Sequence, residues 1–200
     1  MILKKMTSDN YIISDWSGGK TMQLAIDPPT ALYADRAFNF RLSSATVTLE
    51  ESDFTPLPDY ERIIAPIEGK LSLMFNGSEA IVLNEMELCH FDGAWQTRSR
   101  GKVTDYNLMT RKGVCTGEAS AITLAEEEKM SLPVASITGG NRVVTLLWCV
   151  EGIVGIEVAD EVIRLTAPEA VWLENLTGNW SISHAQGLQA KLLLAQVRFI

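Results

Sequence analysis

The chain of 200 residues contains very little histidine, which limits the metal chemistry available to it. Its two histidines, His90 and His184, are far apart, and neither has a second ligand at metal-binding spacing. A catalytic metal site generally needs two or three histidines with a carboxylate, two of them close in sequence. We therefore expect no metal cofactor and a structural role for both histidines.

Cysteine is also scarce, and long hydrophobic runs are missing. The three cysteines, Cys89, Cys115 and Cys149, form no CxxC pair, a pattern typical of reduced thiols in the cytoplasm. No apolar run approaches the ~20 residues of a membrane helix. The N-terminal MILKKMTSDN lacks the apolar core of a secretory signal. These absences predict a cytoplasmic protein without a membrane partner.

Basic residues are outnumbered. The chain has 17 lysines and arginines against 25 acidic residues, a formal net charge of −8. Such a chain repels phosphate backbones, so we expect no nucleic-acid partner. We interpret the two small basic clusters as a solvated strand edge or turn. They are Arg98, Arg100 and Lys102, and then Arg111 and Lys112.

The sequence contains an internal repeat. Residues 44–58 (SATVTLEESDFTPLP) align without a gap with residues 119–133 (ASAITLAEEEKMSLP). Further on, residues 63–75 align with residues 146–158, so the separation grows from 75 residues (44 to 119) to 83 (63 to 146). The second copy therefore carries an insertion of about eight residues, an ordinary loop change. A repeat of this length indicates one β-rich module present twice.

Period-2 alternation dominates within each copy. Residues 40–47 alternate between two faces, and residues 71–75 do the same before the turn pair Asn76-Gly77, a strong hairpin signal. No amphipathic pattern exceeds about three helical turns. Many short strands predict an all-β fold of two tandem jelly-roll β-barrels, the bicupin architecture, with few or no long helices.

We place the barrel boundary between residues 113 and 114. Residues 1–113 are predicted to form an N-terminal cupin barrel with extra N-terminal strands, and residues 114–200 a C-terminal barrel, both in one compact unit. The acidic segments Glu51–Phe54 and Glu126–Lys129 occupy matching positions, and we interpret both as loops after a strand.

Each copy serves as a control for the other, because polar groups that only one copy retains are candidates for function. The strand at residues 103–109 places Asp105 and Asn107 on the face where the second copy has Ala190 and Leu192. The full faces are Val103, Asp105, Asn107 and Met109 in the first copy and Leu188, Ala190, Leu192 and Leu194 in the second.

Two arginines of the first copy also lack basic counterparts. Arg41 aligns with Thr116, and Arg62 aligns with Thr145. Buried polar groups cost a few kcal/mol unless satisfied, so the first copy retains them for a reason. One interpretation is a buried Arg–Asp pair that sets strand register. The other is a polar pocket whose arginines hold a small carboxylate. Trp95 in the first copy corresponds to Trp180 in the second, and a tryptophan shared by both copies predicts core packing.

The same residues carry a resemblance. The chain resembles the HutD/Ves family over most of its length. The shared segments are Trp16–Gly19 with Thr21 and Gln23, Phe38–Ser43 with Ala45, Phe54–Arg62, Phe91–Gly93 and Val103–Met109. It departs from the family's pattern in a shortened Trp16–Gly19 opening and in Glu61-Arg62 where the family has aspartate-arginine.

The resemblance implies a bicupin of this length without an established metal or reaction. Some family members are encoded among histidine-utilisation genes, where a regulatory or metabolite-binding role has been suggested, and others are linked to environmental stress responses. The resemblance does not identify the ligand.

Our leading hypothesis is a metal-free bicupin that binds a small anionic metabolite in the first barrel. The predicted ligand-binding residues are Arg41, Ser43, Arg62, Asp105 and Asn107. Arg41 and Arg62 would pair with a carboxylate, while Asp105 and Asn107 would orient the ligand or receive an amine or amide.

Two alternatives remain open. The first is a metal-independent isomerase or hydrolase that uses Asp105 or Glu61 as general base. Nearby arginines are expected to lower the pKa of Asp105, which counts against this enzyme. The second is a scaffold that forms a homodimer through sheet faces carrying Trp148 or Trp172, although core burial explains both tryptophans as well.

Overall fold

The structure is a computed structural model, and it describes residues 1–134, 141–159 and 161–200, without the side chain of Leu188. The strands, in chain order, are β1 (Ile2–Met6), β2 (Ile12–Trp16), β3 (Gly19–Asp27), β4 (Phe40–Val47), β5 (Glu51–Asp53), β6 (Tyr60–Glu68), β7 (Leu71–Phe75), β8 (Ile81–Leu83), β9 (Cys89–Asp92), β10 (Thr97–Arg100), β11 (Val103–Arg111), β12 (Cys115–Ala125), β13 (Lys129–Leu132), β14 (Val143–Val158), β15 (Glu161–Thr166), β16 (Ala170–Glu174) and β17 (Trp180–Phe199). Within these described ranges, helical structure is limited to two three-residue 3₁₀ turns, Ser8–Asn10 and Tyr33–Asp35. The predicted all-β bicupin fold is confirmed.

The first compact unit comprises Tyr11–Gly117 and contains two antiparallel sheets. One has six strands in the order β2-β3-β4-β11-β6-β9, and the other has four in the order β5-β10-β7-β8. Apolar residues from both sheets meet between them, including Ile64, Leu73 and Phe91. Alternation therefore gives each central strand one face toward this interior.

The second compact unit comprises Met1–Asn10 and Glu118–Ile200. Its strands follow the order β1-β16-β14-β17-β12, with β13 pairing β17 and β15 pairing β14. The long strands β14 and β17 pair along most of their length, with register shifts between Cys149 and Val154. Its core is built from aliphatic residues such as Leu124, Leu147 and Ile182.

The structure places the first ten residues differently from the prediction. They belong to the second unit because β1 pairs antiparallel with β16, from Ile2 opposite Glu174 to Met6 opposite Ala170. The division between the units falls after Gly117 instead of residue 113, inside β12. Residues 1–10 lie outside the repeat, so no counterpart indicated which sheet edge they complete.

The acidic segments also differ from each other. Glu126 and Glu127 form a turn as predicted, but Glu51–Asp53 is strand β5 and not a loop. Strand β5 pairs with β10, where Arg98 contacts Asp53 at 2.8 Å and Arg100 contacts Glu51 at 2.9 Å. Opposite charges on facing positions favour this pairing. Arg98 and Arg100 are therefore exposed as expected, but β10 lies between β5 and β7 and is not an edge strand.

The predicted hairpin at Asn76-Gly77 is confirmed: β7 pairs with β8, and both turn residues have positive φ, 50° and 74°. The predicted core role of Trp95 is wrong. Trp95 is 40% exposed and contacts the ring of Phe75 edge-on at 5.3 Å, whereas Trp180 is buried. Trp95 lies in the loop between β9 and β10, outside the sheet interior.

Two further observations bear on location and assembly. No helix in the described ranges is long and apolar enough to cross a membrane. Trp148 is a core residue whose indole nitrogen donates to the Pro168 carbonyl at 3.0 Å, and is thus not a surface tryptophan. Trp172 is half-buried beneath the Arg142 guanidinium.

Candidate functional site

A cavity of about 400 Å³ lies within the unit Tyr11–Gly117. All five predicted site residues line it: Arg41 and Ser43 from β4, Arg62 from β6, and Asp105 and Asn107 from β11. The structure therefore brings together residues that are up to 66 positions apart, from 41 to 107. Each of the five is buried, with at most 6% of its surface exposed.

Strand register explains this convergence. β11 lies between β4 and β6, and Met109 is opposite Arg41 on one side and Arg62 on the other. One step along the same face, Asn107 is opposite Ser43, and one step further Asp105 is opposite Ala45. Because successive side chains alternate across a sheet, these residues share the face that lines the cavity.

Arg41 is held by neutral partners. Its Nε donates to Gln23 Oε1 at 2.8 Å, and its Nη1 donates to Ser43 Oγ at 2.9 Å. The guanidinium carbon lies 4.2 Å from the centre of the Tyr33 ring, a cation–π contact. Burial lowers the pKa of Arg41, the largest effect on this group. The side chain is thus fixed in position, and its hydrogen-bond partners among the described residues carry no charge.

Arg62 is held by aromatic rings. Its guanidinium carbon lies 4.7 Å from the centre of the Phe54 ring and 5.1 Å from that of Phe91. Within the described part of the chain the guanidinium makes no hydrogen bond and no ion pair, and Nε is fully buried without a partner. Burial lowers its pKa to about 10. A buried cation without a polar partner is costly, so it is a strong candidate for an anion contact.

Asp105 is not paired with the arginines. Its Oδ1 accepts a hydrogen bond from the Ala45 backbone N–H at 3.0 Å, and no ion pair within 4 Å joins it to another described residue. Burial raises its pKa to about 6, and this effect exceeds the lowering by the Ala45 N–H, Arg62 and Arg41. The expectation of a lowered pKa is therefore wrong, because desolvation outweighs arginines that are not in contact.

Asn107 completes the group. In the described ranges its side-chain amide makes no hydrogen bond, and its Oδ1 is fully buried. The structure thus lacks the buried Arg–Asp pair proposed as a register device. It instead contains three polar side chains whose hydrogen-bonding capacity is largely unused and directed to one cavity. Natural proteins rarely leave such groups unsatisfied, so this cavity is the candidate site for a ligand.

The comparisons with known proteins agree with this fold. The HutD family model matches residues 8–191. The chain belongs to the HutD family. Among solved structures, it resembles a conserved protein of unknown function from Pseudomonas aeruginosa PAO1, at 21% identity and a TM-score of 0.82 over 98% of this chain and 99% of that one. It also resembles HutD from Pseudomonas fluorescens SBW25, at 18% identity and a TM-score of 0.75 over 100% of both chains.

A more distant likeness is to a bacterial pirin from Escherichia coli solved in complex with nickel(II). It shares 10% identity with a TM-score of 0.66, and 98% of each chain is covered. No curated protein matches. At these identities the solved structures establish the fold alone.

The cavity of this HutD-family chain does not suit a resident metal. Among the described residues, no cluster of three or more His, Cys, Asp or Glu side chains could hold an ion. The cavity contains several guanidinium groups, which repel a cation, beside the single buried carboxylate of Asp105. His90 is exposed on β9, and His184 belongs to the other unit.

Sequence reasoning missed the residues that surround these five. Tyr33 and Arg36 line the cavity from the 3₁₀ turn before β4, with the Arg36 guanidinium 3.9 Å from the Tyr33 ring centre. The Arg36 carbonyl accepts hydrogen bonds from Tyr60 Oη at 2.9 Å and Arg111 Nη2 at 3.2 Å, which holds this turn. The turn lies outside the repeat and has no control copy. Gln23 belonged to the family resemblance, but without a role.

The corresponding face of the second unit is apolar, as the copy comparison predicts. Ala190, Leu192 and Leu194 are buried in its core, while the side chain of Leu188 lies outside the described residues. One alignment needs correction: Thr104 faces Glu68 and Asp105 faces Pro66, whereas Lys191 faces Glu151 and Leu192 faces Cys149. Because Glu68 aligns with Glu151, Thr145 remains the counterpart of Arg62, and the structural counterparts of Asp105 and Asn107 are Leu192 and Leu194.

Proposed function

We propose that this HutD-family protein is a metal-free bicupin that binds a small carboxylate metabolite in the cavity of the unit Tyr11–Gly117, as a binding or regulatory protein and not as a catalyst. The observation that carries the proposal is the Arg62 guanidinium, which is 6% exposed and has no hydrogen-bond or ion-pair partner among the described residues. A carboxylate supplies both the missing charge and the missing acceptors.

The charge and size of the cavity support an anionic ligand. Arg36, Arg41 and Arg62 line it, and Asp105 is the buried carboxyl among them. The volume of about 400 Å³ lies in the range of small-molecule sites. Arg41 is already positioned by Gln23 and Ser43, so a ligand meets a preformed group and little ordering entropy is lost.

The test is isothermal titration calorimetry against histidine-degradation intermediates and other small carboxylic acids. Losing one charge-assisted hydrogen bond costs about 1.5–3 kcal/mol, so we expect Arg62→Ala to weaken binding about 10- to 100-fold. Arg41→Ala is expected to weaken it similarly. Arg164→Ala, which removes an exposed arginine of the other unit that donates to Gln186, is the control and leaves binding unchanged. Binding that is indifferent to both cavity substitutions would refute the proposal.

One observation favours a second function, a metal-independent enzyme acting on a small organic acid. The pKa of Asp105, raised to about 6 by burial, suits a general base working near neutral pH. Glu61, the other candidate base, is exposed and lies 3.7 Å from Lys112. This function would be established if the protein turns over such an acid in the presence of a chelator and the Asp105→Asn variant does not. Unaltered ligand recovered after long incubation argues for binding alone.

We further propose a cytoplasmic location and no membrane or nucleic-acid partner. The three cysteines, which form no CxxC pair, and the net charge of −8 support this. A homodimer is also proposed, and light scattering on the purified protein decides between monomer and dimer.

A further inference from the structure

We propose that Asp105 is protonated in the ligand complex and donates a hydrogen bond from Oδ2 to the ligand carboxylate. The protein therefore takes up one proton for each carboxylate that it binds. This inference rests on the proposed function and names the ligand chemistry of the same cavity. The group that faces Asp105 is then a hydrogen-bond acceptor and not an ammonium group.

The geometry leaves one oxygen of Asp105 available. Oδ1 accepts a hydrogen bond from the Ala45 N–H, whereas Oδ2 has no hydrogen bond within the described ranges. The Asp105 side chain lines the cavity. Among the described residues Asp105 forms no ion pair with Arg41 or Arg62, and all three line the same cavity. Asn107 stands between them on the same strand face.

Apart from Asp53, the charged groups that line the cavity around Asp105 are cationic. Its cross-strand neighbours, Ala45 on β4 and Pro66 on β6, do not titrate. The charged or titratable groups that line the cavity from the packed elements are Arg41 on β4, Arg62 on β6, Tyr33 and Arg36 on the preceding turn, and Asp53 at the end of β5. Asp53 is exposed and paired with Arg98, so Asp105 is the carboxyl that can respond to a bound anion.

The direction of the proton exchange follows from electrostatics. A second negative charge beside a buried carboxyl favours its protonated form. Burial has already raised the pKa of Asp105 to about 6, so a further increase carries it through neutral pH. At pH 7 roughly nine-tenths of the free protein has Asp105 ionised, and binding a carboxylate therefore takes up a proton. The affinity falls by up to about tenfold for each pH unit above 6.

The experiment is calorimetry of the full-length protein with propionate and succinate as probes, at pH 7 in three buffers of different ionisation enthalpy. The slope of observed enthalpy against buffer ionisation enthalpy counts the protons taken up. We expect a value between about 0.5 and 1 per bound probe. β-Alanine, which is propionate with an added ammonium group, is expected to bind at least tenfold more weakly.

Two variants make the result specific. Asp105→Asn retains probe binding, loses the proton uptake and makes the affinity independent of pH between 6 and 8. Asp15→Asn removes an exposed carboxyl on β2 that does not line the cavity, and it retains the uptake. The wild-type slope decides the question even if Asp105→Asn fails to fold.

The outcomes separate this inference from the proposed function. Arg62-dependent binding with no proton uptake, or with proton release, overturns the role of Asp105 and leaves carboxylate binding intact. Tighter binding of β-alanine than of propionate also overturns it. If neither carboxylate binds, the proposed function fails and this inference fails with it.

Discussion

Replacing Arg62 with methionine is expected to stabilise the protein while weakening anion binding about 10- to 100-fold. In the folded protein the guanidinium is 6% exposed and has no polar partner among the described residues. Burial lowers its pKa from 12.5 to about 10, and a difference of that size corresponds to about 3 kcal/mol against the charged form. Methionine removes this cost and keeps an unbranched side chain of comparable length.

The substitution also removes favourable contacts. The cation–π interactions of Arg62 with Phe54 and Phe91, at 4.7 and 5.1 Å, contribute about 0.5–1 kcal/mol each, and methionine sulfur recovers part of this through its own aromatic contacts. The expected net effect of Arg62→Met is a stabilisation of about 1–2 kcal/mol. For a chain of this size, each kcal/mol raises the Tm by about 2–4 °C.

Differential scanning calorimetry without ligand measures the effect, and titration with a carboxylate measures the loss of binding. Arg41→Met is the matched control. It breaks the hydrogen bonds to Gln23 and Ser43 and is expected to destabilise the protein by about 1–3 kcal/mol. If Arg62→Met lowers the Tm as much as Arg41→Met does, the guanidinium has a stabilising partner and the reasoning fails.

Two further predictions concern buried groups on β11. Because the folded pKa of Asp105, about 6, lies above its ordinary value of 3.8, the protonated form favours the folded state. Stability is therefore greatest below about pH 4 for this group and falls by about 3 kcal/mol as pH rises to about 6. Urea unfolding across this range should show the decline, with Asp105→Asn removing that component, and an unchanged profile in the variant would contradict it. Tyr106→Phe removes a buried hydroxyl that has no partner in the described ranges. The free energy of unfolding should therefore be unchanged or rise by about 1 kcal/mol. Tyr60→Phe, whose hydroxyl bonds to the Arg36 and Phe38 carbonyls, should cost about 1–2 kcal/mol, and equal losses in both variants would refute the contrast.

Much of the site could be predicted because strand alternation is a local property. Asp105 and Asn107 lie on the same face of a strand. The internal alignment places the apolar residues Ala190 and Leu192 on the matching strand of the second copy, which marks the two polar side chains as unusual. The partners of these residues could not be predicted in the same way. Tyr33 and Arg36 reach the cavity from a turn held by Tyr60 and Arg111, and nothing in the local pattern of that turn indicates this.

Three properties could be inferred from the sequence alone: the protein is all-β, one module occurs twice, and the first copy retains polar side chains on an inward face. These properties follow from periodicity and from an internal alignment, which need no knowledge of distant contacts. Three features became visible only in the folded chain: where β1 pairs, which residue of the second copy corresponds to Asp105, and whether Asp105 forms an ion pair. Strand partners, bulges and desolvation depend on residues far apart in the chain. The pKa of Asp105 rises because burial outweighs charges that the fold holds out of contact.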